Sequence, residues 1–97
     1  MSMLSYPAKF TTCSDGRVLV EFLNLPRVAT DGKDMNEAMR EAMDALGSDL
    51  SIRRSRREEI PTPSHRKRGQ RLVPVPLWLA PKLALHLAIR DQRSASK

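Results

Sequence analysis

The side chains that could carry out chemistry are few in this sequence, and they are scattered. Cys13 has no histidine near it in the sequence that could activate it as a nucleophile. His65 lies in a basic stretch and His86 in an apolar one, and neither has a second histidine four residues away, as a zinc site on a helix needs. Because the chain has a single cysteine, it can form neither an intramolecular disulfide framework nor a cysteine-based zinc site.

The carboxylates of the first half of the chain are the remaining candidates for chemistry. Pairs of carboxylates hold the metal ions of two-metal nucleases, and the residues available for this are Asp15, Glu21, Asp31, Asp34 and Glu37. Each also has an ordinary role, as a turn former, an outward strand residue, a helix cap or a helix surface group. We therefore expect a binding protein with no catalytic residue, metal or cofactor. A metal-dependent nuclease that fails without Asp15 or Asp31 is the enzymatic alternative.

The length and composition indicate one small domain. The chain has 97 residues, of which 40% are hydrophobic. Its longest apolar stretch, residues 77–89, is interrupted by Lys82 and His86 and is shorter than the roughly 18 residues that a membrane span needs. The first residues show neither the basic segment nor the apolar segment of a secretion signal. We expect a cytoplasmic protein that does not contact a membrane.

Charge divides the chain into an acidic half and a basic half. Residues 1–49 carry five Lys/Arg and eight Asp/Glu, a net charge of −3, whereas residues 50–97 carry twelve and three, a net charge of +9. The candidate nucleic-acid contacts are the basic residues of two stretches without apolar periodicity, Arg53, Arg54, Arg56, Arg57, Arg66, Lys67 and Arg68. Such a segment is typical of a solvated linker, here residues 53–71. A phosphate-binding patch is the alternative, since clustered cations displace counterions from nucleic acid.

Alternating apolar and polar residues predict a β-hairpin near the N-terminus. Residues 6–12 and residues 17–23 place apolar side chains at every second position, which is the period of a half-buried strand. Between them, Asp15 and Gly16 tolerate the positive φ of a tight turn. A short third strand is expected over residues 28–30.

A helix is predicted to begin at Asp34, which forms a capping box with Glu37. Apolar residues follow at helical spacing: Met35, Ala38, Met39, Ala42, Met43, Ala45 and Leu46. We expect them to fill a core against the hairpin, with an adaptable partner groove as the alternative role of the methionines. Gly47 costs about 1 kcal/mol inside a helix relative to alanine, so the helix is expected either to end there or to fray toward Arg53.

The prolines at positions 74 and 76 predict an edge strand. Residues 71–76 have strand composition, and backbone N–H groups of residues two apart point to the same side. Pro74 and Pro76 therefore remove donors from one edge, and the strand must lie at the edge of the sheet or end early.

Residues 77–90 are apolar almost all round and predict a helix that starts near Leu77 or Trp78. A helix that is apolar on every face must be buried on several sides. We expect a second copy of the chain to cover it, giving a homodimer or a higher homo-oligomer. The expected contact residues are Trp78, Leu79, Leu83 and Leu87.

Several stretches, taken in order, carry a family resemblance. They are Tyr6-Pro-Ala-Lys-Phe10, Asp15-Gly16, Val18-Leu-Val-Glu-Phe22, Leu25-Pro26, Ala29-Thr-Asp-Gly32, Glu37-Ala38, Asp44-Ala-Leu46, Glu59-Ile-Pro-Thr-Pro-Ser64 and Leu72-Val-Pro-Val-Pro-Leu77. Each stretch is short, but their order and spacing together are specific. The sequence resembles the HicB antitoxins of bacterial type II toxin–antitoxin pairs from residue 6 to about residue 92.

This resemblance implies an α+β fold of a degenerate ribonuclease-H-like kind, with the element order β-β-β-α-β and a C-terminal helix. Residues 1–76 would form the toxin-binding domain, including the basic linker. The implied partner is a HicA-type toxin, a small double-stranded-RNA-binding-like ribonuclease that cleaves mRNA with a histidine and that the antitoxin neutralises by masking its active surface. An acidic first half fits a basic partner. We expect toxin contacts at outward polar groups, namely Asp15, Arg17, Glu21, Asp31, Asp34, Glu37 and Glu41.

Family members usually continue past the last helix into a DNA-binding module that represses their own operon. Residues 77–97 resemble the first helix of a helix-turn-helix module followed by a polar tail. We therefore expect a stub that dimerises, with operator DNA as a partner only where a fuller C-terminal module exists. The alternative function is that of a small basic nucleic-acid-binding regulator acting through the arginine-rich linker.

Overall fold

The computed structural model describes residues 4–83 and Leu85, which form a four-stranded antiparallel sheet with a long helix packed on one face. The elements in chain order are β1 (Ser5–Thr12), β2 (Val18–Phe22), β3 (Ala29–Gly32), α1 (Met35–Ser55) and β4 (Gln70–Pro74). The strand order across the sheet is β3-β2-β1-β4. The predicted α+β class and the order β-β-β-α-β are confirmed.

The β1–β2 hairpin has the tight turn that Asp15 and Gly16 predicted. The Cys13 N–H donates to the Arg17 carbonyl at 2.7 Å, and the Gly16 N–H donates to the Cys13 carbonyl at 3.0 Å. Gly16 has a φ of 91°, the left-handed conformation that glycine adopts most easily. Five residues separate the two strands, and the Cys13–Arg17 hydrogen bond closes the turn over the three in the middle.

The third strand is confirmed, although it begins one residue later than expected. Val28 is held in the preceding turn, because its N–H donates to the Leu25 carbonyl at 2.9 Å. The strand then runs from Ala29 through Gly32, with Val18 opposite Gly32 and Val20 opposite Thr30.

The core lies between the sheet and one stripe of α1. Every second residue of β2 is buried, β1 buries the consecutive residues Tyr6, Pro7 and Ala8, and the buried side chains of α1 recur every fourth position. The members of this core on β1, β2 and α1 are Tyr6, Ala8, Val18, Val20, Phe22, Ala38, Ala42, Leu46 and Leu50. Met35, Met39 and Met43 are half-buried and pack against it. The prediction that the methionines pack on the core is confirmed.

The N-terminus of α1 is capped as predicted. The Asp34 carboxylate accepts a hydrogen bond from the Glu37 N–H at 2.8 Å, and the Glu37 carboxylate accepts one from the Lys33 N–H at 3.1 Å. Asp34 has the extended backbone, φ −151°, that is usual for a capping residue. Two N–H groups that the helix cannot satisfy internally thus have side-chain partners.

The expectation that the helix ends or frays at Gly47 is wrong. The helix continues through Ser55, and Gly47 is buried within it. The glycine is there because the segment after β4 packs closely against this position of the helix. A Cβ on Gly47 would lie 2.9 Å from Cγ of Pro76 and 3.4 Å from Cζ2 of Trp78. Glycine is therefore the residue that lets the segment after β4 cross the helix.

The expected linker over residues 53–71 contains regular secondary structure only at its two ends. Arg53 and Arg54 belong to the last turn of α1, because the helix runs past Gly47. The far end of the segment is also ordered, since β4 begins at Gln70. Residues 56–69 form the connecting segment between α1 and β4, as expected of a linker, whereas the residues at either end belong to those elements.

The middle of the connecting segment is fixed to the sheet. Ile60 is fully buried in the core, and the Tyr6 hydroxyl donates to the Pro61 carbonyl at 2.6 Å. The Asn24 amide donates to the Ser64 hydroxyl at 2.6 Å and accepts from the Ser64 N–H at 3.1 Å. These contacts join positions 40 and 55 residues apart in the sequence.

Strand β4 lies at the edge of the sheet, as its prolines predicted. The Val75 N–H donates to the Leu4 carbonyl at 2.9 Å, which continues the pairing of β4 with β1. Backbone groups alternate in direction along a strand, so the prolines at 74 and 76 point away from β1. The donors that they lack are therefore on the outer side.

The segment after β4 packs on the same core. A turn over residues 77–79 closes on the Pro76 carbonyl, which accepts from the N–H groups of Leu79 and Ala80 at 3.0 and 2.9 Å, and a helix begins at Ala80. Leu79 and Leu83 are 1% and 0% exposed. The chain itself covers these two leucines, so the burial that we expected a second copy to supply is intramolecular at both positions.

The remaining two expected dimer contacts are Trp78 and Leu87. Trp78 is 60% exposed, and its neighbour Leu77 is 78% exposed. Leu87 lies outside the described residues.

Among the helices described, none has the length and apolar character needed to cross a membrane.

Candidate partner-binding surface

Five of the seven outward polar residues named from the sequence lie together at one end of the sheet. They are Asp15, Arg17, Asp31, Asp34 and Glu37, and with Lys33 they form what we call the acidic corner. The corner exists because Val18, next to the hairpin turn, pairs with Gly32, just before the start of α1. Its four carboxylates and two cations give it a formal charge of −2.

Arg17 links the carboxylates of the acidic corner. Its Nε donates to Oδ2 of Asp31 at 2.8 Å, and its backbone N–H donates to Oδ1 of Asp15 at 3.0 Å. The pKa of Arg17 is raised above its ordinary value, first by the hydrogen bond to Asp31, then by the charge of Asp31, with further contributions from Asp15 and Glu37. Arg17 thus contacts two carboxylates of the acidic corner, one through its guanidinium and one through its backbone N–H.

The other two predicted contact residues, Glu21 and Glu41, lie on β2 and on α1. Glu21 is in the middle of β2, exposed, opposite Lys9 on β1 and Ala29 on β3. Glu41 is exposed on α1. Glu41 follows Glu37 by about one helical turn, so it lies on the same side of α1 as the acidic corner.

The face of the sheet away from α1, the open face, has an apolar part that the sequence pattern did not indicate. Leu19, Leu23 and Leu72 alternate with core residues on their strands and are 37%, 40% and 48% exposed. Pro7, which pairs with Leu72 and accepts a hydrogen bond from the Leu23 N–H, is fully buried. In the sequence, this surface could have been found from leucines at strand positions where the alternation calls for a polar residue. Exposed apolar side chains grouped in this way are typical of protein-binding surfaces.

The basic residues named as an alternative site differ in how free their charges are. Arg53 is engaged, because its Nε donates to Oδ2 of Asp49 at 2.7 Å and its guanidinium also donates to the Glu59 carbonyl at 3.3 Å. Arg66 donates to the Gln70 carbonyl at 3.2 Å. The others are exposed, and their side chains have no ion pair within the described part of the chain: Arg54, Arg56, Arg57, Lys67 and Arg68.

The carboxylates of the first half of the chain were also the candidates for a metal site. Over residues 4–83 and 85, no three histidine, cysteine, aspartate or glutamate side chains are grouped so that they could hold a metal ion. Asp15 and Asp31 instead interact with Arg17.

Comparison with protein families and curated relatives gives a consistent result. The family model described as HicB_like antitoxin of bacterial toxin-antitoxin system matches residues 5–84. Antitoxin HicB of Escherichia coli K12 is 33% identical over 82 residues, which cover 84% of this chain and 59% of that protein. Antitoxin HicB 2 of Photorhabdus laumondii is 35% identical over 93 residues, covering 96% of this chain and 65% of that protein. The chain thus spans about three fifths of the length of these curated relatives.

A solved structure supports the same fold. The crystal structure of the N-terminal domain of the Burkholderia pseudomallei antitoxin HicB matches with a TM-score of 0.64 at 18% sequence identity. The match covers 75% of this chain and 99% of that domain. At this identity the likeness concerns the arrangement of the sheet and the helix.

Proposed function

This chain belongs to the HicB-like antitoxin family of bacterial toxin–antitoxin systems, and we propose from this that it binds and neutralises a toxin of the HicA type, an mRNA ribonuclease. The observation that carries the proposal is the family match over residues 5–84, which includes every strand and the helix described above. In this function the chain catalyses nothing. It covers the surface with which the toxin engages RNA.

The charges of the acidic corner support a basic partner. A protein that binds RNA presents cations to the phosphates, and a surface with a formal charge of −2 attracts those cations in the same way. Because charges at an interface act mainly on the association rate and on specificity, the acidic corner would guide the encounter of the two proteins.

The exposed leucines of the open face support a stable contact. Burial of apolar surface contributes about 25 cal/mol per Å², and Leu19, Leu23 and Leu72 offer such surface beside the acidic corner and across the sheet. We propose that this face, together with the acidic corner, lies within the toxin interface.

Co-expression with the small open reading frame beside this gene, as the candidate toxin, tests the proposal. We expect growth to be restored and a complex to be recovered when the toxin is purified by an affinity tag. Leu19→Asp, on the open face, should weaken both effects, whereas Ile52→Asp should not, because Ile52 is similarly exposed (49% against 37%) but lies on α1. A harmless neighbour that does not co-purify would refute the antitoxin function, and equal effects of both substitutions would refute the proposed interface.

Self-association through the segment after β4 is a second part of the proposal. Leu77, Trp78 and Leu85 are 78%, 60% and 62% exposed, which is unusual for side chains of this size. Sedimentation velocity of the wild type and of Trp78→Ser tests it: a dimer that dissociates in the variant supports the contact, and a monomeric wild type refutes it.

A nucleic-acid-binding regulator remains the alternative function, supported by the exposed cations of residues 54–57 and 66–68. It requires that DNA or RNA binding weakens steeply as salt rises. Substitution of Arg54 and Arg57 by serine should then abolish binding. Affinity that is independent of salt, or unaffected by these substitutions, would exclude this function.

A further inference from the structure

The two edges of the sheet differ in their capacity to accept another strand. At the outer edge of β4, Pro74 and Pro76 have no N–H group, and their positions face away from β1 because the Val75 N–H is used toward it. Gln70, which faces the same way, is also used: its N–H donates to the Lys67 carbonyl at 3.0 Å and its carbonyl accepts from Arg66 at 3.2 Å. This edge is closed to strand addition over most of its length.

The outer edge of β3 has none of these protections. Just after β2, the Leu23 N–H donates to the Pro7 carbonyl on β1 at 3.2 Å. Because backbone groups alternate in direction, the odd-numbered residues of β2 form their hydrogen bonds with β1 and the even-numbered residues form theirs with β3. Val18 and Val20 therefore share hydrogen bonds with Gly32 and Thr30.

It follows that Ala29 and Asp31 direct their N–H and carbonyl groups away from the sheet. In the part of the chain that the structure describes, no backbone or side-chain partner occupies these four groups. The edge also has little steric protection, because β3 consists of Ala29, Thr30, Asp31 and Gly32, with no proline and no long side chain. An unprotected edge of this kind is a template for a strand of another chain.

We infer that the outer edge of β3 pairs with an antiparallel or parallel strand of the toxin, and that this strand carries basic side chains. The inference rests on the proposed antitoxin function and names the part of the fold that makes the contact. Its support is the juxtaposition of the free backbone groups of Ala29 and Asp31 with the acidic corner. A strand added next to Asp31 would pass Asp34 and Glu37 at the start of α1, where cations on that strand are favoured and anions are not.

The same charges disfavour a second copy of this chain at this edge. Two β3 strands paired about a twofold axis would bring Asp31 and the acidic corner of each chain toward those of the other, and like charges across paired strands are destabilising. The basic partner is therefore the occupant that the observations favour.

Amide hydrogen exchange measured by NMR tests the inference on the full chain, with and without a catalytically inactive form of the toxin. In the free chain, the amides of Ala29 and Asp31 should exchange fast, whereas those of Thr30 and Gly32 should be protected by β2. In the complex, the amides of Ala29 and Asp31 should become protected, with exchange slowed by about tenfold or more.

Proline substitution provides an independent readout. Ala29→Pro removes one outward N–H at the first position of the strand, where proline is tolerated, and should weaken toxin binding about tenfold. The control is His65→Pro, which removes an N–H from an exposed position of the connecting segment, outside the acidic corner and the open face, and should leave toxin binding unchanged. Circular dichroism and thermal melting of both variants establish that the fold is retained.

The outcomes separate this inference from the function on which it rests. If the complex forms but Ala29 and Asp31 exchange as fast as before, the edge inference is overturned and the antitoxin function stands. If no complex forms with the toxin at all, the antitoxin function fails. If these amides are protected in the free chain at concentrations at which it dimerises, a second copy occupies the edge and the inference is also overturned.

Discussion

Gly47 and Pro76 are in such close contact that a Cβ on the glycine would lie 2.9 Å from Cγ of the proline ring. The glycine is in the middle of α1, and the proline follows the last strand, so the contact joins the helix to the segment that leaves the sheet. Helix propensity alone favours alanine at this position. The packing requirement therefore outweighs the propensity.

Gly47→Ala is predicted to destabilise the protein in spite of that propensity. Overpacking of a tight contact costs typically 1–3 kcal/mol, whereas alanine gains about 1 kcal/mol over glycine in a helix. We expect a net loss of about 1 kcal/mol, which corresponds to a melting temperature lower by roughly 4–8 °C for a domain of this size. Ser48→Ala, at the exposed neighbouring position, should show no loss. A higher melting temperature for Gly47→Ala would contradict the close contact.

Asp34→Ala is predicted to lower the free energy of unfolding by about 1 kcal/mol, because the Glu37 N–H loses the carboxylate that caps it at 2.8 Å. Asp34→Asn should retain most of the stability, since asparagine caps a helix about as well. Urea unfolding of the three proteins measures the difference. Equal losses in both variants would mean that the negative charge, and not the hydrogen bond, is what stabilises the helix start.

Asn24→Ala is predicted to increase the rate at which trypsin cleaves the chain after Arg66, Lys67 or Arg68. The substitution removes both hydrogen bonds that hold Ser64, at 2.6 and 3.1 Å, so the exposed basic segment beyond it opens more often. We expect cleavage there to be several-fold faster, with little change in melting temperature. Asn36→Ala, on the exposed side of α1, is the control. Unchanged cleavage in Asn24→Ala would show that this pair of hydrogen bonds does not restrain the segment.

Neutralising the acidic corner is predicted to slow association with the toxin. In the double variant Asp15→Asn, Asp31→Asn, the attraction for a basic partner is reduced, so the association rate constant should fall by about tenfold at low salt and by less at high salt. The variant Glu58→Gln, Glu59→Gln removes the same charge far along the sequence from the acidic corner. Stopped-flow mixing at two salt concentrations compares them. The prediction fails if the two double variants behave alike.

The sequence allowed the local features to be predicted because neighbouring residues determine them. The hairpin depends on alternating apolar residues and on Gly16, and the helix start depends on Asp34 and Glu37. Both predictions were confirmed. The edge position of β4 was also predictable, because two prolines of the same parity cannot pair on that side.

The features that could not be predicted depend on contacts between distant parts of the chain. The helix was expected to end or fray at Gly47, because nothing near that residue in the sequence reveals that Pro76 lies against it. Leu79 and Leu83 read as an interface for a second copy, since their pattern is apolar whichever surface covers them. Five residues of the acidic corner were named from the sequence one by one as outward polar groups, but their proximity depends on the pairing of Val18 with Gly32, which no local pattern reveals.

The prolines of β4 also determine how far any assembly built on this sheet can grow. A chain whose sheet accepts strands at both edges can join end to end without limit, and its particles lengthen into fibres as concentration rises. Here Pro74 and Pro76 terminate such growth on one side. A strand added at the other side completes the sheet, so the product is a particle of fixed stoichiometry whose size does not increase with concentration.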